Sequence, residues 1–248
     1  MDTIIQEGLV FIQTVQAFQS PAFDVFFKIV TTLGNESFYL LFFPLLLWCI
    51  DFKLGIQVGF LFLISVYFNA FFKQLLQQPR PFHLISQLQL YPAEGYGFPS
   101  GHAQSSLLVW GSIAYWKKSQ LFWFFAVALI IAIAFSRIYL GVHFPHDILG
   151  GWLLGGFLLF CYYLFSTFYH KHPVSMGKQV FLKIILVSLL PIILLLFPAS
   201  DDMISVIAAL TGVGWGLIIN VHFIYFEGDS GRWWQRILRY SVGFAGIA

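Results

Sequence analysis

Runs of mostly apolar residues near 36–50, 54–76, 103–117, 121–140, 147–168, 180–198 and 203–226 follow one another along this chain. A helix that crosses a bilayer needs about 20 such residues, so the runs predict about seven spans, the shorter ones borrowing flanking residues. The runs are continuous rather than alternating, which argues against strand spans. Of the 248 residues 59% are hydrophobic, and Phe alone contributes 30. Only 10% are charged, against about 25% in a soluble domain. An ordinary cytosolic enzyme and a disordered chain are thereby excluded. The net charge of +2 is too small to steer the chain to nucleic acid. The expected fold class is all-α, a polytopic membrane helix bundle.

The two ends read differently. Residues 3–18 place Ile4, Phe11, Val15 and Phe18 on one helical face, as in a helix lying in the membrane interface. A second short segment, 21–33, begins at Pro21, stops near Gly34 and reads as re-entrant or interfacial. Residues 237–248 are too short to span. They lie on the surface or begin an eighth helix. Met1 is followed by acidic Asp2 with no basic stretch, so the first membrane segments direct insertion. Cys49 and Cys161 sit in apolar runs and read as buried packing residues, without the spacing of a zinc site or a disulfide framework. The expected organisation is 1–35 as interfacial or re-entrant helices, 36–168 as the core, and 169–248 as further helices with a basic tail.

Polar loops fix the orientation. With residues 1–35 on one side, the opposite side receives Lys53, Lys117, Lys118, Lys171, Lys178, Lys183, Arg232, Arg236 and Arg239. The first side receives Lys28, Lys73, Arg80 and Arg137 with the acidic Glu94, Asp201 and Asp202. The positive-inside rule makes the richer side cytoplasmic.

Three clusters then fall together on the outer side. In the first, Lys73 nears the end of a span and Arg80 follows between Pro79 and Pro81, which stop the helix. In the second, Phe98-Pro99-Ser100-Gly101-His102 precedes an apolar run. Ser100 suits a helix N-cap, and Gly101 allows close approach. The free N–H groups of the first turn then make an anion site, with His102 beside it. In the third, Arg137 ends one span, Asp147 starts the next, and His143 lies in the loop between. An Asp four residues beyond a His can hold one ring nitrogen and leave the other for substrate. Taken singly, each cluster also has a structural reading: interfacial cations, a plain helix cap, an Arg137–Asp147 ion pair. Together they offer three cations, a helix N-terminus, two histidines and a carboxylate, without the several carboxylates of a magnesium site. The guest such a set fits is a tetrahedral oxyanion, and the chemistry phosphoryl transfer.

The pattern Lys-x6-Arg-Pro, Pro-Ser-Gly-His and Ser-Arg-x5-His-x3-Asp over residues 73–147 resembles the type-2 phosphatidic acid phosphatase superfamily. That group includes lipid phosphate phosphatases, undecaprenyl-diphosphate phosphatases, glucose-6-phosphatases and vanadium haloperoxidases. The resemblance implies that His143 is the nucleophile and forms a phosphohistidine, oriented by Asp147. It implies that His102 protonates the leaving oxygen and then activates water. Lys73, Arg80 and Arg137 would clamp the phosphoryl oxygens, with Ser100 and the Gly101 amide adding hydrogen bonds. It implies no metal and no cofactor. The implied activity is hydrolysis of a lipid phosphate or diphosphate monoester on the extracytoplasmic face of a bacterial inner or plasma membrane. The partners are the lipid substrate and the bilayer. A lipid phosphotransferase, or a non-catalytic lipid-phosphate binding or transport protein, is the alternative. His146 reads as a residue at the helix start or a substrate contact, and the glycines at 150–151 and 155–156 as close-packing positions. The loop 82–98, rich in apolar residues, reads as one lip of the site.

Overall fold

The computed structural model describes residues 3–171, 176–196 and 200–246. These residues are almost entirely helical and contain no strand, as the continuous apolar runs require. The chain divides into two compact units. One comprises Met1–Tyr39 with Phe68–Phe157, the other Leu40–Tyr67 with Leu158–Ala248.

The first unit begins with α1 (Thr3–Gln16) and α2 (Pro21–Thr32). Ser20 caps α2 by accepting from the Phe23 N–H, and Pro21 needs no partner in the first turn. The end of α4 (Phe52–Leu76) follows, then the short α5 (Pro81–Leu84) and a 3-10 turn at Ser86–Leu88. The long helices α6 (Gly101–Lys117), α7 (Gln120–Tyr139) and the start of α8 (Pro145–Lys171) complete it. Helix α7 packs against α6, α2 and α1. Leu9 and Ile12 of α1 are buried with Leu88, Ala103, Ala134, Ile138, Phe144 and Ile148. The face carrying Ile4, Phe11 and Phe18 points outward, so α1 is apolar on both sides.

Glycines let α8 approach α6. A Cβ on Gly151 would lie 2.4 Å from the Ser100 carbonyl oxygen, and one on Gly155 2.9 Å from that of Gln104. Both neighbours are backbone and have little room to give. Gly151→Ala is therefore expected to destabilise the protein by about 1–3 kcal/mol. Thermal unfolding in detergent measures this, and an unchanged Tm would contradict it.

The second unit contains the end of α3 (Glu36–Leu45), continued by a π-helical turn at Leu46–Ile50, with α9 (Met176–Leu194), α10 (Asp201–Ile219) and α11 (Trp233–Ala245). Gly214 of α10 closes on Val187 of α9, and Gly243 of α11 on Trp48. Arg239 donates to the Trp48 carbonyl (2.8 Å) and Arg236 to that of Cys49 (3.3 Å), satisfying carbonyls that end the π-helical turn. The expected basic residues Lys171 and Lys178 have side chains outside the described residues. Helix α11 has 13 residues, too few to span, and exposes Trp233, Ile237, Leu238 and Val242.

Among the described residues, four helices are long and apolar enough to cross a membrane: Phe52–Leu84, Gln120–Tyr139, Pro145–Phe168 and Asp201–Ile224. Five result if the bent pair Pro21–Thr32 and Glu36–Ile50 is one span. Length and apolarity alone therefore support four or five of the seven expected spans. Helix α6, for example, has 17 residues and devotes Gln104, Ser105 and Ser106 to the interior. One expectation is corrected outright. Cys161 is exposed, and Cys49 is only half-buried. Cys161 shares the outer surface of α8 with Phe157, Phe160 and Leu164, and an apolar run does not distinguish a lipid-facing position from an interior one.

Candidate active site

All eight residues singled out by the sequence lie in the first unit. Arg80 follows the end of α4 and is buried to 4% exposure. Its Nε donates to the Gly95 carbonyl (3.0 Å) and Nη2 to that of Glu94 (2.8 Å). Nη1 donates to the Val142 carbonyl (2.9 Å) and meets His143 Nε2 at 3.1 Å. Arginine has five N–H groups, so one remains for a substrate oxygen. The carbonyl cradle holds the guanidinium against His143 and draws the 94–95 backbone over it. His83, which the turn leaves exposed, accepts from the Arg80 backbone N–H at 3.2 Å.

His143 sits in the five-residue link between α7 and α8, and both it and Asp147 are buried. Gly141, at φ +68°, turns the chain there, and a Cβ would strike the Leu88 carbonyl. The backbone N–H groups of Val142 and His143 both donate to the Arg137 carbonyl, which closes the turn. One turn into α8, Asp147 Oδ2 accepts from His143 Nδ1 (3.1 Å) and from the Phe144 N–H (2.9 Å). With Nδ1 donating to the carboxylate, Nε2 carries the lone pair that faces Arg80. Burial, reinforced by the charges of Arg80, Arg137 and Lys73, holds the His143 imidazole well below its ordinary value of 6.5. Asp147 Oδ1 has no hydrogen bond, and His146 Nε2 is 3.3 Å from it. His146 is half-buried and stacks on Phe144, with 5.2 Å between centroids.

Ser100 caps α6 through the Ala103 N–H, and its own N–H donates to the Asp147 backbone carbonyl (2.9 Å). This bond ties the start of α6 to the start of α8. Asn69 of α4 donates to the Pro99 carbonyl (3.2 Å) and to Gln104 Oε1 (2.7 Å). Its Oδ1 would be 3.2 Å from a Cβ on Gly101. Gly101 thus admits the amide that braces the capping turn.

His102 Nε2 lies 2.8 Å from Asn35 Oδ1. Arg137 ends α7 at 3% exposure, and its Nη1 donates to Thr31 Oγ1 (2.6 Å). Its guanidinium carbon lies 5.6 Å from the Tyr91 ring centroid. Arg137 Nε is buried without a hydrogen-bond partner. A buried guanidinium N–H left open is rare and suits an oxyanion. Lys73, in the last turn of α4, is close enough for its charge to act on His102 and His143. No group of three or more His, Cys, Asp or Glu among the described residues has the arrangement of a metal site.

The structure brings Arg80, His143, Asp147 and Ser100 into one bonded set, with Arg137, His102 and Lys73 around it. Sequence reasoning missed Thr31, Asn35, Asn69 and Gln104. A polar side chain within an apolar helix is a functional candidate by default, a signal that Asn69 and Gln104 carry. Thr31 and Asn35 carry none.

This geometry invites comparison with known proteins. A profile of the PAP2 superfamily matches residues 54–171. Residues 54–171 belong to the PAP2 superfamily. The match contains every PAP2 motif residue named above, from Lys73 to Asp147. Sphingosine-1-phosphate phosphatase 2 of Mus musculus is 28% identical over 208 residues, 79% of this chain and 58% of that protein. The undecaprenyl-diphosphatase of Sulfolobus acidocaldarius is 31% identical over 111 residues, 44% of this chain and 53% of that one. The chain spans about half the length of the curated relatives it matches. Among solved structures, the transmembrane PAP2 type phosphatidylglycerolphosphate phosphatase from Bacillus subtilis superposes with a TM-score of 0.60 at 23% identity. The superposition covers 67% of this chain and 88% of that one. This likeness shows a shared PAP2 fold.

Proposed function

We propose that this PAP2 protein is a membrane phosphatase that hydrolyses a lipid phosphate or diphosphate monoester through a phosphohistidine on His143, without a metal. The observation that carries this reading is the His143 ring pinned from both sides, Nδ1 on Asp147 Oδ2 and Nε2 on Arg80 Nη1. A phosphoryl oxygen that takes over the Nη1 hydrogen would release the Nε2 lone pair toward phosphorus. Nε2 attacks phosphorus, the P–O bond to the lipid breaks, and the leaving oxygen takes a proton from His102. Asp147 balances the positive imidazole of the phosphohistidine. His102 then takes a proton from water, whose oxygen attacks phosphorus, and the N–P bond breaks to release phosphate. Arg80, Arg137 and Lys73 neutralise the equatorial oxygens, with Ser100 and the Gly101 amide adding hydrogen bonds. The buried, unpartnered Arg137 Nε supports that assignment.

The relatives' names supply the substrate class: sphingosine 1-phosphate, undecaprenyl diphosphate and phosphatidylglycerol phosphate are all phosphorylated lipids. We place the site on the extracytoplasmic face of a bacterial inner or plasma membrane. The lysine and arginine asymmetry of the loops supports this orientation. The protein in detergent is expected to release phosphate from one or more of these three lipids, while His143→Ala releases none. Silence of the wild type across the panel would overturn the reading. Transfer of the phosphoryl group to an added alcohol in preference to water would make it a phosphotransferase.

Two further outcomes follow. EDTA is expected to leave the rate unchanged, and vanadate, which mimics the pentacoordinate phosphoryl group, to inhibit. Loss in EDTA with recovery on added metal would overturn the metal-free route. The second outcome concerns pH. Protonation removes the attacking lone pair, so activity falls as pH falls through the His143 pKa. That pKa lies below 6.5, so the acid limb of kcat/KM is expected below pH 6.5. A limb above it would contradict the burial argument.

A further inference from the structure

The reaction asks more of His102 than of any other side chain in the site. It must give a proton to one oxygen and take one from another, at the same nitrogen. Among the described residues, none within the matched stretch 54–171 hydrogen-bonds the His102 ring. The partner lies outside it, at the break between α2 and α3. The Asn35 N–H donates to the Thr32 carbonyl (3.1 Å), and the Asn35 carbonyl accepts from the Phe38 N–H (3.1 Å), so its backbone is held on both sides. Its side chain is held as well, because Nδ2 donates to the Tyr91 hydroxyl at 3.1 Å. That leaves Oδ1 for His102 Nε2, at 2.8 Å. The Cδ2 edge of the same imidazole lies against Gly34, where a Cβ would be 2.6 Å away. The ring therefore turns one edge, Cδ2 and Nε2, to residues 34–35, and Nδ1 is on the other.

The geometry points to Asn35 as a positioning residue that keeps the proton on His102 Nε2, so that Nδ1 is the nitrogen that exchanges protons with substrate and water. It rests on the reading of His102 as the acid and base. An amide oxygen accepts but does not donate, so it stabilises Nε2–H in both the charged and the neutral ring. In the first step Nδ1–H passes its proton to the lipid oxygen as the P–O bond breaks. In the second, the Nδ1 lone pair takes a proton from the attacking water. The charges acting on His102 are those of Arg137, Lys73 and Arg80, all positive. The neutral Asn35 holds the ring without adding a carboxylate to that set. Through Tyr91, whose ring lies under Arg137, the same amide is joined to a second site residue.

The test uses the leaving group. An alkoxide leaving from a lipid phosphate needs the proton, whereas p-nitrophenolate does not. The full chain in detergent is assayed for kcat/KM on sphingosine 1-phosphate and on p-nitrophenyl phosphate. Asn35→Ala is expected to lower the lipid value about 10-fold more than the aryl value, a fraction of the ~10²–10⁴-fold attributed to general acid catalysis. Asn35→Asp, which keeps an acceptor, is expected to restore the lipid-to-aryl ratio and to move the lipid pH profile upward, because a carboxylate favours the charged imidazole. Tyr91→Phe, which keeps the ring under Arg137 and removes only the hydroxyl, is expected to shift the ratio in the same sense as Asn35→Ala. Equal losses on both substrates in Asn35→Ala and Tyr91→Phe would show a merely structural role and overturn the proposal. His102→Ala serves as the separate control. If it shows no difference between the substrates, the acid reading of His102 itself fails. If it does and the Asn35 variants do not, only the positioning role fails.

Discussion

His143→Ala is expected to lower kcat for lipid phosphate hydrolysis by at least ~10⁴-fold, the scale seen when a nucleophile is removed from a covalent mechanism. The loss is expected in the chemical step and not in binding. Arg137 keeps the Thr31 hydroxyl and the Tyr91 ring, and Arg80 keeps its three carbonyl partners (Gly95, Glu94 and Val142) when the imidazole is gone. The variant should therefore still retain a lipid phosphate while giving neither free phosphate nor an acid-labile phosphoenzyme. Asp147 keeps the Phe144 N–H on Oδ2, so the buried carboxylate is not stripped of every donor. Rapid quench with a labelled lipid phosphate measures the phosphoenzyme directly. A variant within about tenfold of wild type would remove His143 from the covalent role.

Asp147→Asn separates geometry from charge. A single oxygen, Oδ2, accepts both the Phe144 N–H and the His143 Nδ1–H. An asparagine carbonyl can occupy that place and keep the tautomer. What it cannot supply is the negative charge that balances the imidazole once Nε2 bonds to phosphorus. The expected result is a ~10²–10⁴-fold fall in kcat with a much smaller change in KM. The acid limb of the pH profile should also move further down, because loss of the carboxylate disfavours the charged ring. A fall confined to KM would mean that Asp147 acts on binding. An unshifted acid limb would mean that its charge does not reach the imidazole.

The all-helical fold and the membrane class were legible because apolar runs of this length admit few other folds. The clustering of Arg80, Ser100, His143 and Asp147 was also legible, because topology puts the ends of consecutive spans on one face. Span count was less so. Helix α6 carries Gln104, Ser105 and Ser106 inward and offers little hydropathy signal for its length. The exposure of Cys161 was hidden for the opposite reason, since lipid and protein interior favour the same residues. Thr31 and Asn35 escaped notice because they are short, common polar residues near helix ends, where capping is the ordinary explanation. Their roles depend on distances across 106 and 67 residues of sequence, which no local pattern encodes. His146 likewise shows its stacking on Phe144 only once α8 is placed.

Those long separations bear on how the protein is made. The first 35 residues leave the ribosome long before His102 and Arg137 exist for Asn35 and Thr31 to meet. Gln16 must wait longer still, for the Tyr139 carbonyl it donates to across 123 residues. Residues 40–67, which belong to the other compact unit, emerge in between. During translation the polar partners of the opening helices are thus still pending. The candidate site becomes whole only when Asp147 at the start of α8 arrives, so a nascent chain arrested before that point is expected to hold the early parts of the site and none of its chemistry.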